Sequence, residues 1–205
     1  MLGNLHASDL LIFLFALIIS MVIHEFMHGF VAYKLGDTTA QEEGRLSFNP
    51  LAHIDPFMTI ILPAITLLLV GIPILAAKPV PFNPARLKYD DMGVALVAAA
   101  GPVSNLVLAI IGAFILNGMT TESFAAKAIY DFVTLNVALF VFNLVPIPPL
   151  DGSRIVYAFA PEPVRKLFEQ IEPYGFFIVF GLLFTTHFAV LTNINQMVLD
   201  LLSHL

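Results

Sequence analysis

The chain has 205 residues, 59% of them hydrophobic and 12% charged, with a mean hydropathy of +0.89 and a formal net charge of −6. A soluble domain carries about twice that charged share, and apolar runs of about twenty residues match a hydrocarbon core of roughly 30 Å; the composition therefore excludes an ordinary soluble domain. The negative charge is spread over short loops and implies no nucleic-acid partner, and the lack of cysteine excludes thiolate ligands, a cysteine nucleophile and disulfides.

In chain order, the first membrane span is predicted from about Ser8 to Lys34, with Ser8 or Asp9 placed to cap it. It lacks a basic flank and a small-residue cleavage site, so it does not read as a signal peptide. Gly36 ends it, and a polar loop follows with breaks at Asn49-Pro50 and Asp55-Pro56. Within that loop "EGRLSFNP" alternates polar and apolar residues weakly, which allows a short strand. Residues 57–76 are apolar but interrupted by Pro63 and by Gly71-Ile72-Pro73. "AKPVPFNPARLKYDD" is proline-rich and therefore extended. Further spans are predicted at about Met92–Asn117, Ser123–Val145 and Tyr174–Leu191. Between the last two, "PIPPLDG" cannot be regular helix, and residues 161–172 read as a short amphipathic surface helix. The tail sets Ile194, Met197, Val198, Leu201, Leu202 and Leu205 at helical spacing, as in an interfacial helix. The expected fold is an all-α polytopic membrane protein. It has about four transmembrane helices, one re-entrant or additional membrane segment (57–76) and short extended segments in cytoplasmic loops, in a single domain over residues 1–205.

Topology turns on residues 57–76. If they cross once, the basic residues divide six (Lys78, Arg86, Lys88, Arg154, Arg165, Lys166) to three (Lys34, Arg45, Lys127). If they dip in and return, eight lie on one side and Lys127 alone on the other. The positive-inside rule favours the second arrangement, an integral multi-pass protein with both termini outside. Re-entrant backbone is tolerated where it is buried in protein or lines a cavity. Twenty residues is also the length of an ordinary span, so both arrangements stay open at this point.

The chemistry concentrates in "HEFMH". An ionisable group near a bilayer centre costs on the order of 2.5–3.5 kcal/mol on insertion scales, and His24, Glu25 and His28 lie within one and a half turns. The two histidines project from one helix face about 6 Å apart along the axis, so both can reach one tetrahedral Zn²⁺. Glu25 flanks that face and can take a proton from an activated water. This is the HExxH pattern. A catalytic zinc needs a third protein ligand, and Asp151 is the one carboxylate tied to an apolar, helix-breaking segment. Its other reading is a cap for the helix that begins "GSRIVYAF", and one residue could serve both. His187 reads as a packed or interhelical polar residue. His53 reads as a structural or supporting residue. His6 and His204 are terminal and uninformative.

HEFMH, then "AGPVSN", then "NLVPIPPLDG", in that order, resembles the site-2 protease family of intramembrane zinc metalloproteases. The similarity extends through "GRLSFNPLAHIDP" and "AKPVPFNP" to the branch without a PDZ domain, and covers most of residues 20–155. The resemblance implies one zinc ion held by His24, His28 and Asp151, with Glu25 as catalytic base. It further implies that Asn143 binds the substrate carbonyl oxygen. Gly101, Pro102 and Asn105 match the family's Gly-Pro-x-x-Asn element, either as close packing or as support for the site. "EGRLSF" and "AKPVPF" are the positions that could pair with an extended substrate by edge addition. His24 and His28 would lie in the cytoplasmic half of the first span, and Asp151 can meet them only if the third span ends on the same side.

The implied reaction is hydrolysis of a peptide bond in or near the transmembrane helix of a membrane-protein substrate, with the lipid bilayer as surroundings. The alternative from another class is a membrane zinc transporter or metal-binding membrane protein, since His and carboxylate pairs inside spans also make ion pathways. Transport would need a route through both leaflets, whereas only one half of this sequence is polar-lined.

Overall fold

A computed structural model describes residues 7–61, 65, 68, 78–120, 123–183 and 188–204. Helix α1 (Ala7–Lys34) leads into a single turn, α2 (Thr39–Glu42), a 3-10 turn (Pro50–His53) and a π-helical turn (Pro56–Ile61). After another 3-10 turn (Pro84–Arg86) come α3 (Asp90–Asn117), α4 (Phe124–Asn143), α5 (Asp151–Phe159), α6 (Glu162–Ile171), α7 (Gly175–Leu183) and α8 (Phe188–Leu202). Among the described residues there is no strand. Three helices there, α1, α3 and α4, are long and apolar enough to cross a membrane. The protein is all-helical and multi-pass. The described parts of the fourth expected span fall in α7 and the start of α8; residues 184–187, with His187, lie outside the described residues, as do His6 and most of 57–76.

Two contacts set the direction of the spans. Lys127 Nζ, at the start of α4, lies 2.9 Å from Asp9 at the start of α1. The Lys88 amide, just before α3, donates to the Leu35 carbonyl just past α1 at 2.9 Å. So α1 and α4 run one way and α3 returns between them. Arg165 of α6 pairs with Asp91 at the start of α3, which puts α6 at the same end as Leu35. His53 and Lys78 also meet, the Lys78 amide donating to the His53 carbonyl at 3.0 Å.

Helix α3 is the centre of the bundle. Half of its most apolar stretch is buried, against 28% for α1 and for α4. Its buried face is built from small residues, Ala95, Ala98, Gly101, Ala109, Gly112 and Ala113 among them. Lipid tails are as apolar as leucine, so helices in a bilayer gain by close packing rather than by hydrophobic burial, and small residues permit it. At Gly112 the α3–α4 approach is close: an added β-carbon would stand 2.6 Å from Val133 of α4.

Ser123 caps α4, its Oγ accepting from the Ala126 amide at 3.1 Å, as its residue type leads one to expect. The tail departs from a simple interfacial helix. Leu202 is buried with Ala109, Ala113, Val133 and Val137, and Val198 packs on them, while Ile194, Met197 and Leu201 stay exposed. One side of α8 therefore belongs to the α3–α4 core.

"EGRLSF" forms no strand. The Arg45 and Leu46 amides both donate to the Ala40 carbonyl, at 2.8 and 3.2 Å, closing a turn behind α2. Backbone donors used locally cannot build a ladder. Asp37, fully buried, fastens the next segment. Its carboxylate accepts from the Thr39 hydroxyl at 2.5 Å, the Thr39 amide at 3.1 Å and the Asn83 amide at 2.6 Å. Burial acts to raise the Asp37 pKa, but these donors outweigh it and hold the carboxyl below its usual range.

Candidate active site

His24 and His28 sit four residues apart on α1, each 8% exposed, and each has its Nδ1 engaged on α3. His28 Nδ1 donates to the Val97 carbonyl at 2.7 Å. His24 Nδ1 donates to Asn105 Oδ1 at 2.6 Å. The orientation of the Asn105 amide follows from its other end, where Nδ2 donates to Asn136 Oδ1 at 2.9 Å. Asn136 Nδ2 in turn donates to Ser20 Oγ at 2.9 Å. Ser20, Asn105 and Asn136 are all fully buried. With both Nδ1 atoms donating, each neutral ring offers a lone pair at Nε2, and those two atoms lie 3.0 Å apart.

Asp151 completes the group. Its Oδ2 lies 3.2 Å from His24 Nε2 and 3.4 Å from His28 Nε2, buried and without a hydrogen-bond partner among the described residues. Asp151 is the first residue of α5, preceded by Leu150 with no side-chain cap bond. The capping alternative is thus not what its side chain does. The turn before α5 delivers it: the Ile147 amide donates to the Val145 carbonyl, and the Leu150 amide to the Ile147 carbonyl.

Three lone-pair donors that face one point repel one another unless a cation lies between them. Tetrahedral zinc with ligands at about 2.0–2.1 Å separates neighbouring donors by roughly 3.3 Å, and the observed separations are 3.0, 3.2 and 3.4 Å. The residues fit a zinc ion. Gly101 supplies the space: a β-carbon there would stand 2.4 Å from His28 Nε2 and 2.6 Å from His24 Nε2. Pro102, also buried, follows it inside α3.

Glu25 flanks the pair, half-buried, and its Oε2 accepts from the Val80 amide at 2.9 Å. Asn143 lies at the end of α4, its Nδ2 donating to the Leu139 carbonyl at 2.9 Å. His53 is buried, with Nε2 donating to the Ser47 carbonyl at 2.8 Å; it joins no contact of the histidine–aspartate group among the described residues. Sequence reasoning named His24, His28 and Asp151 as one group and left Asn105 open between close packing and support for the site. It missed Ser20 and Asn136, although Ser20 is four residues before His24 and Asn136 is seven before Asn143, each on the same helix face as its partner. The Val97 carbonyl and Val80 amide leave no trace in side-chain identity.

Two histidines of an apolar span and the aspartate of a later short helix around one cation-sized space, with a glutamate beside the first histidine, are the features of a membrane zinc metalloprotease. The chain belongs to peptidase family M50. The family's model, described as Peptidase family M50, matches residues 118–186, a stretch that includes Asn143 and Asp151 and lies after the histidines. A Bacillus subtilis protein named "Putative zinc metalloprotease YwhC" is 44% identical over 179 residues, 83% of this chain and 78% of that one. A Mycolicibacterium smegmatis protein named "Putative zinc metalloprotease Rip2" is 32% identical over 177 residues, 82% of this chain and 64% of that one. A Mycobacterium tuberculosis protein of the same name is 29% identical over 157 residues, 73% of this chain and 58% of that one. No solved structure matches the chain. The protein is accordingly a zinc-dependent metalloendopeptidase of the membrane.

Proposed function

We propose that the chain is one intramembrane metalloprotease domain that cuts a peptide bond in or near the transmembrane helix of a membrane-protein substrate. The observation that carries this is the meeting of His24, His28 and Asp151, whose ligand atoms all lie within 4.8 Å of one another, among helices long enough to span a bilayer. In this reading those three residues hold the zinc and Glu25 is the general base. Zinc, when bound, polarises the scissile carbonyl and makes a water acidic enough to ionise near neutral pH. Glu25 takes the proton of the attacking water and delivers it to the leaving amine. Asn143 turns its amide from Leu139 to the carbonyl oxygen as negative charge develops there. Asn105 and the Val97 carbonyl hold the two imidazoles in the tautomer that presents Nε2. The substrate helix has to unwind locally, since its carbonyls are otherwise hydrogen-bonded, and a proline or glycine in it eases this.

The site faces the cytoplasmic side in this reading, with residues 57–76 re-entrant and both termini outside. What supports it is the meeting of Leu35 with Lys88 at one end of the bundle, while Lys127 pairs with Asp9 at the other. The Lys127 end is then the one poor in basic residues. The test is cleavage of single-span peptides, each with a proline or glycine break in its apolar segment, by the purified zinc-loaded protein in detergent. Wild type is expected to cleave, and Glu25→Gln to bind zinc without cleaving. Retained cleavage by that variant would overturn the assignment.

A further inference from the structure

The Pro79–Val80 peptide group stands between two opposite charges. Its N–H donates to Glu25 Oε2 at 2.9 Å. Its carbonyl accepts from Arg45 Nη2 at 3.2 Å, and the same nitrogen donates to the Lys78 carbonyl at 2.7 Å. A peptide unit carries a dipole of about 3.5 D with the carbonyl as its negative end. A guanidinium at the carbonyl and a carboxylate at the amide both act in line with that dipole.

Everything around this peptide keeps it in place. Val80 is buried and packs against α1 at Gly29, where an added β-carbon would stand 3.1 Å from Val80 Cγ1. Pro79 and Pro81 have no amide hydrogen, so Val80 is the only backbone donor of the three. The Lys78 amide is fixed on the His53 carbonyl and the Asn83 amide on Asp37. Arg45 is itself only 7% exposed, and no carboxylate of the described residues pairs with it. A buried guanidinium is costly unless it is hydrogen-bonded. The two backbone carbonyls are what Arg45 has in place of a counter-ion, and its position in the fold makes sense as a clamp on them.

We propose that Arg45 is a positioning residue for the reaction: through the Pro79–Val80 peptide it orients the Glu25 carboxylate, engaging Oε2 and leaving Oε1 to the attacking water. Among the described residues Oε1 takes no donor. The inference rests on the reading of Glu25 as the base. It makes 78–81 a fixed wall of the active site, set by a side chain outside the histidine–aspartate group.

The experiment compares Arg45→Met, Arg45→Lys and Glu25→Gln in the full chain, zinc-loaded in detergent, with a single-span peptide that the wild type cleaves. A displacement of about 1 Å at a reacting group can cost on the order of a hundredfold. Arg45→Met is expected to lower kcat by about ten- to a hundredfold, with KM and zinc content held. Arg45→Lys, which keeps the charge and can donate to both carbonyls from one nitrogen as Nη2 does, but on a side chain of different reach, is expected to recover part of that loss. Site-resolved hydrogen exchange, which needs no substrate, is expected to show the Val80 amide exchanging at least about tenfold faster in Arg45→Met while the amides of α3 keep wild-type rates. Wild-type kcat in Arg45→Met, a loss that follows zinc content or KM alone, or unchanged Val80 exchange would each overturn the proposal. An inactive Glu25→Gln beside a fully active Arg45→Met removes the positioning role alone. An active Glu25→Gln removes the base itself.

Discussion

Asn136 and Ser20, 116 residues apart in the chain, are joined by a 2.9 Å hydrogen bond between two fully buried side chains. The bond ends a chain of donors that runs through Asn105 to His24 Nδ1. Groups that orient a metal-binding histidine typically contribute ten- to a hundredfold to metal affinity. Asn136→Leu leaves Asn105 Nδ2 with only the long contact to the Ser20 carbonyl, 3.4 Å, and the amide is then free to turn. Zinc affinity is expected to fall by about tenfold in Asn136→Leu and by up to about a hundredfold in Asn105→Ala. Competition against a chelator of graded strength measures both. Unchanged affinity in Asn105→Ala would detach the network from the metal.

Gly101 tests the space rather than the ligands. Its β-carbon position lies 2.4 Å from His28 Nε2, closer than two such atoms can approach. Backbone of α3 is held there by the Val97 carbonyl and by packing, so the methyl of Gly101→Ala displaces the imidazoles or the cation. Zinc content is expected to fall below a tenth of wild type while helical circular dichroism is kept. A zinc-replete Gly101→Ala protein would show that the histidines are placed otherwise.

Asp151 is expected to decide whether the metal stays. Chelation of wild type should abolish cleavage, and added zinc should restore it. Asp151→Ala leaves two imidazoles, one ligand short of a catalytic site, so zinc titration should not restore its activity at concentrations that saturate the wild type. Full activity of that variant at stoichiometric zinc would remove Asp151 from the ligand set.

Asp37 carries a pH dependence of stability. Its folded-state pKa lies below the ordinary 3.8, so the unfolded chain takes up the proton first as pH falls. The stability it lends is complete above that ordinary value and is lost as pH drops through the lower folded one. In Asp37→Asn one oxygen becomes an NH₂ facing the amide donors of Thr39 or Asn83, at a cost of about 1–3 kcal/mol. Thermal unfolding in detergent should show Tm lowered at pH 7, with the gap to wild type closing below about pH 4. A constant gap at every pH would mean that the carboxylate charge is not what holds the segment.

Much of this protein is legible without coordinates because its strongest signals are local. Span length follows from hydrocarbon thickness, and the i, i+4 placement of His24 and His28 follows from helix pitch. The loop between the first two spans reads less well. The weak alternation of "EGRLSF" is overruled by the Ala40 carbonyl, which takes two of its amides. The apolar spacing in the tail shows a face but not its partner, and that partner turns out to be α3 and α4.

The sequence by itself determined that the chain is a helical membrane protein, that two imidazoles share one face of its first helix, and that a carboxylate follows a proline break far downstream. Those statements depend on composition and on neighbours a few residues apart. Only the tertiary structure decided that Asp151 faces the histidines rather than capping its helix. Only it showed that Gly101 leaves the space between them, that Asn136 and Ser20 support His24, and that a peptide bond at Val80 reaches Glu25. Each of these is a contact between segments distant in the chain, several of them made by backbone atoms that every residue type carries alike. Residue spacing holds no record of which backbone atoms will meet.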